Sequence, residues 1–405
     1  MLGPANQVIY TAAHAVADSE WAPIGGGGAI CRQLTEEWNR TRPFPFRVIG
    51  PSLAGADLVR FNETRYARFC IEFGAAATRA ICGNEPERTV VLVNDIAEGP
   101  DFRTLAEAGF PIVTIYHVDV VAYVAAIYLR GLVRPETTVR WYERLRHLPL
   151  PRILDLVWAR QRDSVRYSRR LIVPSAEMKH VLERCYPRDA PGKVEVLPWG
   201  VPSPPAETGD PASLRREFQV PADARVLLTL SRISPEKGQD LLLESLIEWE
   251  RMPEFPRQPV YLFICGEAAF MKGERHLARL KSLAGRLRRV KTFFPGHVTG
   301  ARKQAFFALA DVYVFPSRHE SYGLTLMEAM QAGLPAVCLD HHGAREIVRP
   351  EFGELVEPAG LWPAIGRMLE NPNLAAMREN ARRFAATQKF EAAAARLADT
   401  LLALF

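Results

Sequence analysis

The sequence has few cysteines and no long apolar run. Its six cysteines are scattered between Cys31 and Cys338, with no C-x-x-C pair and no spacing typical of a zinc site. This excludes a disulfide scaffold and favours a reducing, cytoplasmic compartment. No run approaches the roughly 18 apolar residues of a membrane-spanning helix, and the N-terminal residues lack the order of a signal peptide. We therefore expect a cytoplasmic protein.

The sequence also has little net charge. Lysine and arginine number 51 against 46 acidic residues, a balance of +5 over 405 residues, which by itself does not suggest a nucleic-acid binder. Hydrophobic residues make up 48% and charged residues 24%, which is ordinary globular usage and excludes disordered and collagen-like chains. The length predicts two or three domains rather than one.

Short β-branched runs alternate with helical stretches along the whole chain. Such alternation, with strands apolar on both faces, predicts parallel sheets in an α/β architecture. The candidate strands are Val8–Tyr10, Arg47–Ile49, Val90–Val93, Ile112–Tyr116, Leu171–Val173, Val194–Leu197, Arg225–Leu230, Val260–Cys265, Lys291–Phe294, Val312–Phe315, Ala336–Leu339 and Glu354–Val356.

A proline-rich, polar stretch divides these strands into two sets of six. It spans Pro202–Asp210, where neither a helix nor a central strand can continue, and it predicts an interdomain linker. We expect a first domain over 1–201, a linker over 202–210 and a second domain over 211–390. In doubly wound sheets ligands collect at the carboxyl ends of the strands, so functional residues should follow strands directly.

The loop after the first strand of the second domain places two cations close together in sequence. Arg232 and Lys237 lie between that strand and the next helix, where a guanidinium fork, an ammonium and a helix N-terminus can all bind phosphate oxygens. A diphosphate is the expected ligand. On this segment alone, a solvated loop with surface ion pairs is equally open.

The segment after Val312–Phe315 contains two glutamates separated by seven residues. Glu320 belongs to the loop, Gly323 permits a tight turn at a helix start, and Glu328 lies within the helix beside apolar neighbours. A carboxylate in such surroundings needs hydrogen-bond donors, and sugar or ribose hydroxyls are suitable. For each glutamate alone, a capping or surface role is the alternative.

Together these residues resemble a known family. The R-x4-K and E-x7-E spacings and the run ESYGLTLMEAMQAGLP are similar to the signature of retaining glycosyltransferases of family 4, which have the GT-B fold. The resemblance extends over nearly the whole chain. It implies two Rossmann-like doubly wound domains facing across a cleft, with a final helix, about 391–405, packed back onto the first domain.

The resemblance also implies a role for each matching residue. Arg232 and Lys237 bind the nucleotide diphosphate and neutralise the leaving group, Glu320 faces the donor sugar, and Glu328 holds the ribose hydroxyls. The backbone amides of Tyr322, Gly323 and Leu324 contact sugar or phosphate oxygens. The segment Asp340–Val348 departs from the family, since it has only Gly343 where a double glycine is common.

In the first domain the resemblance rests on fewer residues. Gly27 and Gly28, in the run Gly25–Gly28, are expected to let the backbone approach the distal phosphate, and His117 is expected beside the donor sugar near the reacting carbon. A flexible glycine loop and a core histidine are the bland alternatives. Asp95 is either an acceptor-side residue or part of a structural turn.

The small net charge hides a basic segment between Arg130 and Arg170. It contains eleven arginines and four acidic residues, with Trp141, Tyr142, Trp158 and Tyr167 between them. Three interpretations are open: solvated helices, contact with the anionic inner face of a membrane, or an acceptor that carries phosphate or carboxylate. Nucleic acid is not expected.

The resemblance thus implies a metal-independent, retaining hexosyltransferase with no cofactor. Its co-substrate would be a UDP-, GDP- or ADP-linked sugar, and its acceptor a hydroxyl of a sugar, lipid or small natural product. Two alternatives are a catalytically silent GT-B protein that binds a sugar nucleotide, and a GT-B epimerase or phosphorylase.

Overall fold

The structure is a computed structural model that describes residues 6–13, 25–51, 61, 63–119, 121–122, 133–147, 152–203, 209–268 and 273–405. Contacts between Cα atoms divide the chain into two compact units. Unit 1 comprises Met1–Trp199 and Glu391–Phe405, and unit 2 comprises Gly200–Phe390. Of the expected linker, residues 204–208 lie outside the described residues.

Unit 1 contains one parallel sheet of six strands in the order β2-β1-β3-β4-β5-β6. Its strands are β1 (Gln7–Thr11), β2 (Phe46–Ile49), β3 (Thr89–Val93), β4 (Ile112–Ile115), β5 (Arg170–Val173) and β6 (Val194–Val196). Its described helices are α1 (Gly26–Thr41), α2 (Glu63–Cys82), α3 (Phe102–Glu107), α4 (Pro135–Leu145), α5 (Arg152–Tyr167), α6 (Ala176–Cys185) and, at the C-terminus, α15 (Phe390–Leu402).

Unit 2 repeats this architecture with the order β12-β11-β10-β7-β8-β9, again with parallel pairs. Its strands are β7 (Arg225–Leu230), β8 (Val260–Cys265), β9 (Val290–Gly296), β10 (Val312–Phe315), β11 (Ala336–Leu339) and β12 (Gly353–Val356). Its described helices are α7 (Pro211–Glu217), α8 (Gln239–Trp249), α9 (Gly273–Ala284), α10 (Gly300–Leu309), α11 (Leu324–Gln331), α12 (His342–Ile347), α13 (Leu361–Leu369) and α14 (Leu374–Thr387).

The predicted α/β fold of two doubly wound parallel sheets is therefore confirmed. The central strands are buried on both faces, as their unbroken apolar sequences require: every residue of β3, β8, β10 and β11 is buried. A single large cluster in unit 2 joins β7, β8 and β10 to the apolar faces of α8 and α13. This packing fixes the strand ends from which the functional loops emerge.

Each sheet has a point at which the direction of strand succession reverses. In unit 1 the reversal lies between the neighbouring strands β1 and β3, and in unit 2 between β7 and β10. The loops that follow such strands diverge to opposite faces and leave a crevice, which is where ligands bind in open α/β sheets. The loops with Arg232 and Glu320 follow β7 and β10, and so flank the reversal in unit 2.

The C-terminal helix α15 packs within unit 1. The Trp38 indole Nε1 donates to the Ala394 carbonyl at 3.3 Å, and the Thr400 hydroxyl donates to Glu195 Oε2 at 3.0 Å. Trp38 is buried, as are Leu397 and Leu401 on the helix. Unit 1 is thus built from two separate stretches of the chain.

Candidate active site

The two cations of the first loop occupy different local positions. Arg232 follows β7 directly, and its guanidinium lies 3.5 Å from Glu236 Oε1. Lys237 ends a short 3-10 turn, Pro235–Lys237, which precedes α8. Both side chains are mostly buried, so neither is an ordinary solvated surface charge.

Lys237 and Glu320 form an ion pair across the reversal point of the sheet. The Lys237 ammonium donates to Glu320 Oε1, which also accepts from the Ser317 hydroxyl at 3.1 Å. Side-chain exposure is 13% for Lys237 and 17% for Glu320. Burial raises the pKa of Glu320, but the charge and hydrogen bond of Lys237 outweigh it, so the pKa lies below its ordinary value. The carboxylate is therefore ionised at neutral pH.

The two loops are also joined through their backbones. The Arg318 amide donates to the Glu236 carbonyl at 2.8 Å, and the Arg318 guanidinium makes two hydrogen bonds to the buried Asp240 carboxylate, at 2.9 and 3.0 Å. Gly238 has φ +64°, and a Cβ on it would lie 1.9 Å from the Pro316 carbonyl oxygen. Only glycine fits here, so the Lys237 and Glu320 loops are held against each other.

The second glutamate of the motif has a cation as its partner. Glu328 lies on α11 with its side chain 20% exposed, and its Oε1 accepts from Lys303 Nζ of α10 at 2.7 Å. Its neighbours Ala329 and Met330 are buried, so the hydrogen-bond donor that a carboxylate in such surroundings needs is supplied here by Lys303. Glu328 meets neither Lys237 nor Arg232 in the described contacts.

The start of α11 offers backbone donors at the same edge of the sheet. Gly323 has φ +108° and is the N-cap residue, with no side-chain cap among the described residues. The Tyr322 hydroxyl is turned away from the helix start and accepts from the Gly200 amide at 2.9 Å. The amides at Leu324 and the next residues belong to the first turn, whose N–H groups have no partners within the helix.

In unit 1, His117 belongs to a hydrogen-bonded cluster at the ends of β1, β3 and β4. Its Nε2 lies 3.0 Å from Asn94 Oδ1, which also accepts from the Tyr10 hydroxyl at 2.5 Å. Because this amide oxygen only accepts, Nε2 carries the hydrogen and the tautomer of His117 is fixed. His117 is half-buried rather than part of the core.

The glycine run forms the first turn of α1 rather than a loop. Gly25 is the N-cap residue, and Gly28 is buried one turn later. A Cβ on Gly27 would lie 3.1 Å from the His117 ring and 3.5 Å from Asp95 Oδ1. Asp95 Oδ2 in turn accepts from the Ala13 amide at 3.0 Å, so its carboxylate joins the ends of β1 and β3.

The basic segment separates into inward and outward arginines. Arg160 donates to the Pro100 carbonyl at 2.6 Å and lies largely inside unit 1. On α4, by contrast, Arg140 and Arg144 are exposed beside Trp141 (47% exposed) and Leu145 (44% exposed). Arg130 lies outside the described residues, as does the side chain of Arg152.

Several residues of these clusters were not singled out by the sequence. Lys303 and Asn94 carry no motif, and Arg318 lies inside the second motif without an assigned role. His341 and His342 lie in the segment Asp340–Val348, and the buried His341 caps α12 beside Glu320. Only the unusual Asp340–Val348 segment gave a signal for this last position.

The described residues also bear on metal binding and membrane insertion. Within the described ranges, no group of three or more histidine, cysteine, aspartate or glutamate side chains is arranged to hold a metal ion. No helix in the part of the chain that the structure describes is both long and apolar enough to cross a membrane.

Comparison with known proteins shows which proteins this chain is similar to in sequence. Residues 211–384 match the family described as "Glycosyl transferases group 1". A D-inositol 3-phosphate glycosyltransferase 2 of Catenulispora acidiphila is 33% identical over 237 residues, which cover 57% of this chain and 55% of that protein. The chain thus spans about half the length of the curated relatives it matches.

Solved structures extend the similarity in fold to both units. Sucrose-phosphate synthase from Thermosynechococcus elongatus has a TM-score of 0.72 at 19% identity, over 99% of each chain. Anabaena Alr3699/HepE, solved in complex with UDP-glucose, has a TM-score of 0.67 at 18% identity, over 98% of this chain and 100% of that one.

Proposed function

We propose that this chain, whose residues 211–384 match the glycosyl transferases group 1 family and which has the GT-B fold, transfers a hexosyl group from a nucleotide-diphosphate sugar to an acceptor hydroxyl. The observation that carries the proposal is the joined pair of loops at the reversal point of unit 2. Arg232 and Lys237 lie on one loop and Glu320 on the other, all largely buried.

The chemistry of glycosyl transfer accounts for these charges. Negative charge develops on the departing diphosphate while positive charge develops on the sugar ring, so cations fixed near the former lower the barrier most. Arg232 and Lys237 would supply this stabilisation without a metal ion. Glu320 holds Lys237 in place before the substrate arrives, so little reorganisation is needed during the reaction.

We further propose that the transfer proceeds with retention. The acceptor hydroxyl would enter on the face that the diphosphate leaves, and a phosphate oxygen would take its proton, so that no separate carboxylate base is needed. His117, with its tautomer fixed by Asn94, would lie beside the sugar and Gly27 beside the phosphate, as the family resemblance implies.

The donor is expected to be a UDP-sugar, because the related Anabaena protein was solved with UDP and with UDP-glucose. Glu328 would bind the ribose through Oε2, since Lys303 already occupies Oε1. GDP- and ADP-sugars remain the competing donors in the test below.

We propose an anionic acceptor. The curated relatives are named as D-inositol 3-phosphate glycosyltransferases, and a structural neighbour as a sucrose-phosphate synthase. Exposed arginines of α4, including Arg140 and Arg144, give unit 1 a surface that attracts phosphate groups.

The same helix supports a peripheral contact with anionic membranes as a second proposal. Trp141 and Leu145 stand one turn apart on α4, and each follows an exposed arginine, Arg140 or Arg144, an arrangement suited to a lipid interface. In flotation with acidic liposomes at low salt, the wild-type protein should rise with the liposomes, and a Trp141→Ser, Leu145→Ser variant should not. No flotation of the wild type would exclude the contact.

The activity is tested by nucleotide release from UDP-, GDP- and ADP-sugars with phosphorylated and neutral acceptors. We expect release that persists in EDTA, and a product whose anomeric configuration by NMR matches that of the donor. Lys237→Ala should abolish release, whereas Lys281→Ala, which removes an exposed lysine of α9 in the same unit, should not. Tight donor binding without turnover for any acceptor would instead identify a silent binding protein, and turnover without an acceptor an epimerase.

A further inference from the structure

The loop after β11 contains a buried imidazole with a fixed hydrogen. His341 is the N-cap residue of α12, and its Nδ1 accepts from the Ala344 amide at 3.2 Å. An imidazole nitrogen that accepts carries no hydrogen, so the ring hydrogen lies on Nε2. Burial lowers the pKa of His341 to about 4, and the ring is therefore neutral at physiological pH.

This N–H group is buried, and no described residue accepts from it. His341 is only 5% exposed, and its Nε2 has no hydrogen-bond partner among the described residues. Buried donors in native proteins are almost always paired, and an exception calls for an explanation such as a catalytic role or a bound water or ion that supplies the partner. The cap hydrogen bond accounts for the buried Nδ1, but it does not account for the buried Nε2–H group.

The position of the ring indicates what the missing acceptor is. The Gly343 amide donates to the Glu320 carbonyl at 3.1 Å, which holds the His341 loop against the Glu320 loop. The charges of Glu320 and Lys237 both act on the ring. His341 thus lies beside the ion pair proposed to face the sugar and diphosphate of the donor.

We propose that His341 is a donor-binding residue, whose Nε2–H donates to an oxygen of the sugar-diphosphate portion of the nucleotide sugar. The proposal rests on the function proposed above and adds a residue to its site. The acceptor oxygen belongs either to a sugar hydroxyl or to a phosphate, both of which accept a neutral N–H.

A structural role is the competing explanation. The rings of Phe315 and His341 meet edge to face, with centroids 5.5 Å apart. If Nε2–H only points at the aromatic ring, its loss would leave donor binding unchanged.

Two substitutions distinguish the function of one ring nitrogen from that of the other. In His341→Asn the side-chain oxygen can still cap α12, since Asn is a favoured N-cap residue, but the distal donor is lost. In His341→Gln the amide nitrogen reaches the place of Nε2, while the cap is weakened. The two variants should therefore have opposite effects on stability and on binding.

Calorimetric titration with UDP and with UDP-glucose, or with whichever donor the wild type turns over, provides the test. We expect His341→Asn to melt like the wild type and to bind the nucleotide sugar about 10-fold more weakly, and His341→Gln to melt earlier but bind nearly normally. Weaker binding of UDP as well would assign the bond to a phosphate oxygen. Weaker binding of the nucleotide sugar alone would assign it to a sugar hydroxyl.

Equal affinity of His341→Asn and wild type for both ligands would overturn the proposal and leave the proposed function intact. No binding or turnover of any nucleotide sugar by the wild type would overturn both. If neither variant folds, the side-chain ¹⁵N–¹H signal of His341 Nε2 in the wild-type protein decides. The signal should move downfield when the donor is added, and an unchanged signal at saturation would refute the assignment.

Discussion

Replacement of Gly238 by alanine tests how tightly the Lys237 loop and the Glu320 loop are held together. A Cβ at this position would lie 1.9 Å from the Pro316 carbonyl oxygen, whereas ordinary van der Waals contact begins at 3.4 Å. One loop must therefore move by about 1.5 Å relative to the other. Because Lys237 immediately precedes Gly238, and Glu320 lies on the same loop as Pro316, this displacement separates the ion pair.

The size of the effect follows from that displacement. Misplacement of reacting groups by about 1 Å can cost roughly 100-fold in rate, so we expect Gly238→Ala to lower kcat by at least about 100-fold. The φ of +64° adds strain of about 1 to 2 kcal/mol for a residue with a Cβ, or about 2 to 8 °C in Tm.

A steady-state assay of nucleotide release, with Tm from scanning calorimetry, measures both effects. Gly285→Ala is the matched control, because its Cβ would meet its nearest atoms at 3.5 Å and no strained φ is involved. It should leave kcat and Tm unchanged. Wild-type turnover in Gly238→Ala would refute the hypothesis that contact between these loops positions the charges proposed to act in catalysis.

Two further predictions concern the ion pairs of unit 2. Lys303→Met removes the partner of Glu328, and we expect UDP to bind about 10-fold more weakly by calorimetry, a loss of about 1.4 kcal/mol in binding free energy. The control Lys281→Met should bind UDP as the wild type does. Unchanged binding by Lys303→Met would show that the pair does not shape the nucleotide site. Since the pKa of Glu320 in the folded protein lies below its ordinary 4.5, the pair with Lys237 stabilises fully above pH 4.5, and this contribution is lost as the pH falls through the lowered pKa. The Tm difference between wild type and Glu320→Gln should therefore be largest at neutral pH and shrink below pH 4.5, and a difference that grew towards acid pH would contradict this assignment.

The fold could be predicted from the sequence because the strands are nearly uniform in chemistry. All twelve candidate runs correspond to strands, and the central ones, such as β3 and β8, are apolar at successive positions because they are buried on both faces. Boundaries were less exact: β9 extends over Val290–Gly296, beyond the predicted Lys291–Phe294. Pro295 and Gly296 are poor strand formers, and only pairing with β8 places them in the sheet.

The grouping of residues from different motifs could be predicted only where sheet topology brings the motifs together. Arg232 and Lys237 follow β7 and Glu320 follows its neighbour β10, so the two motifs meet at the same edge of the sheet. Lys303 could not be predicted, because its contact with Glu328 joins two helices whose relative position depends on packing. The role of His341 depends on which ring nitrogen caps α12, and no pattern of residue types encodes that choice.

The split composition of unit 1 has a consequence for biosynthesis. The indole of Trp38 needs the carbonyl of Ala394, and Glu195 needs the hydroxyl of Thr400, yet all of Gly200–Phe390 is translated in between. At roughly 5 to 20 residues per second, these 191 residues delay the last element of unit 1 by about 10 to 40 s. Unit 2, by contrast, is one contiguous stretch, Gly200–Phe390. The nascent chain can therefore complete its second unit on the ribosome before its first. Until the C-terminal helix emerges, the surface around Trp38 lacks its contacts with that helix.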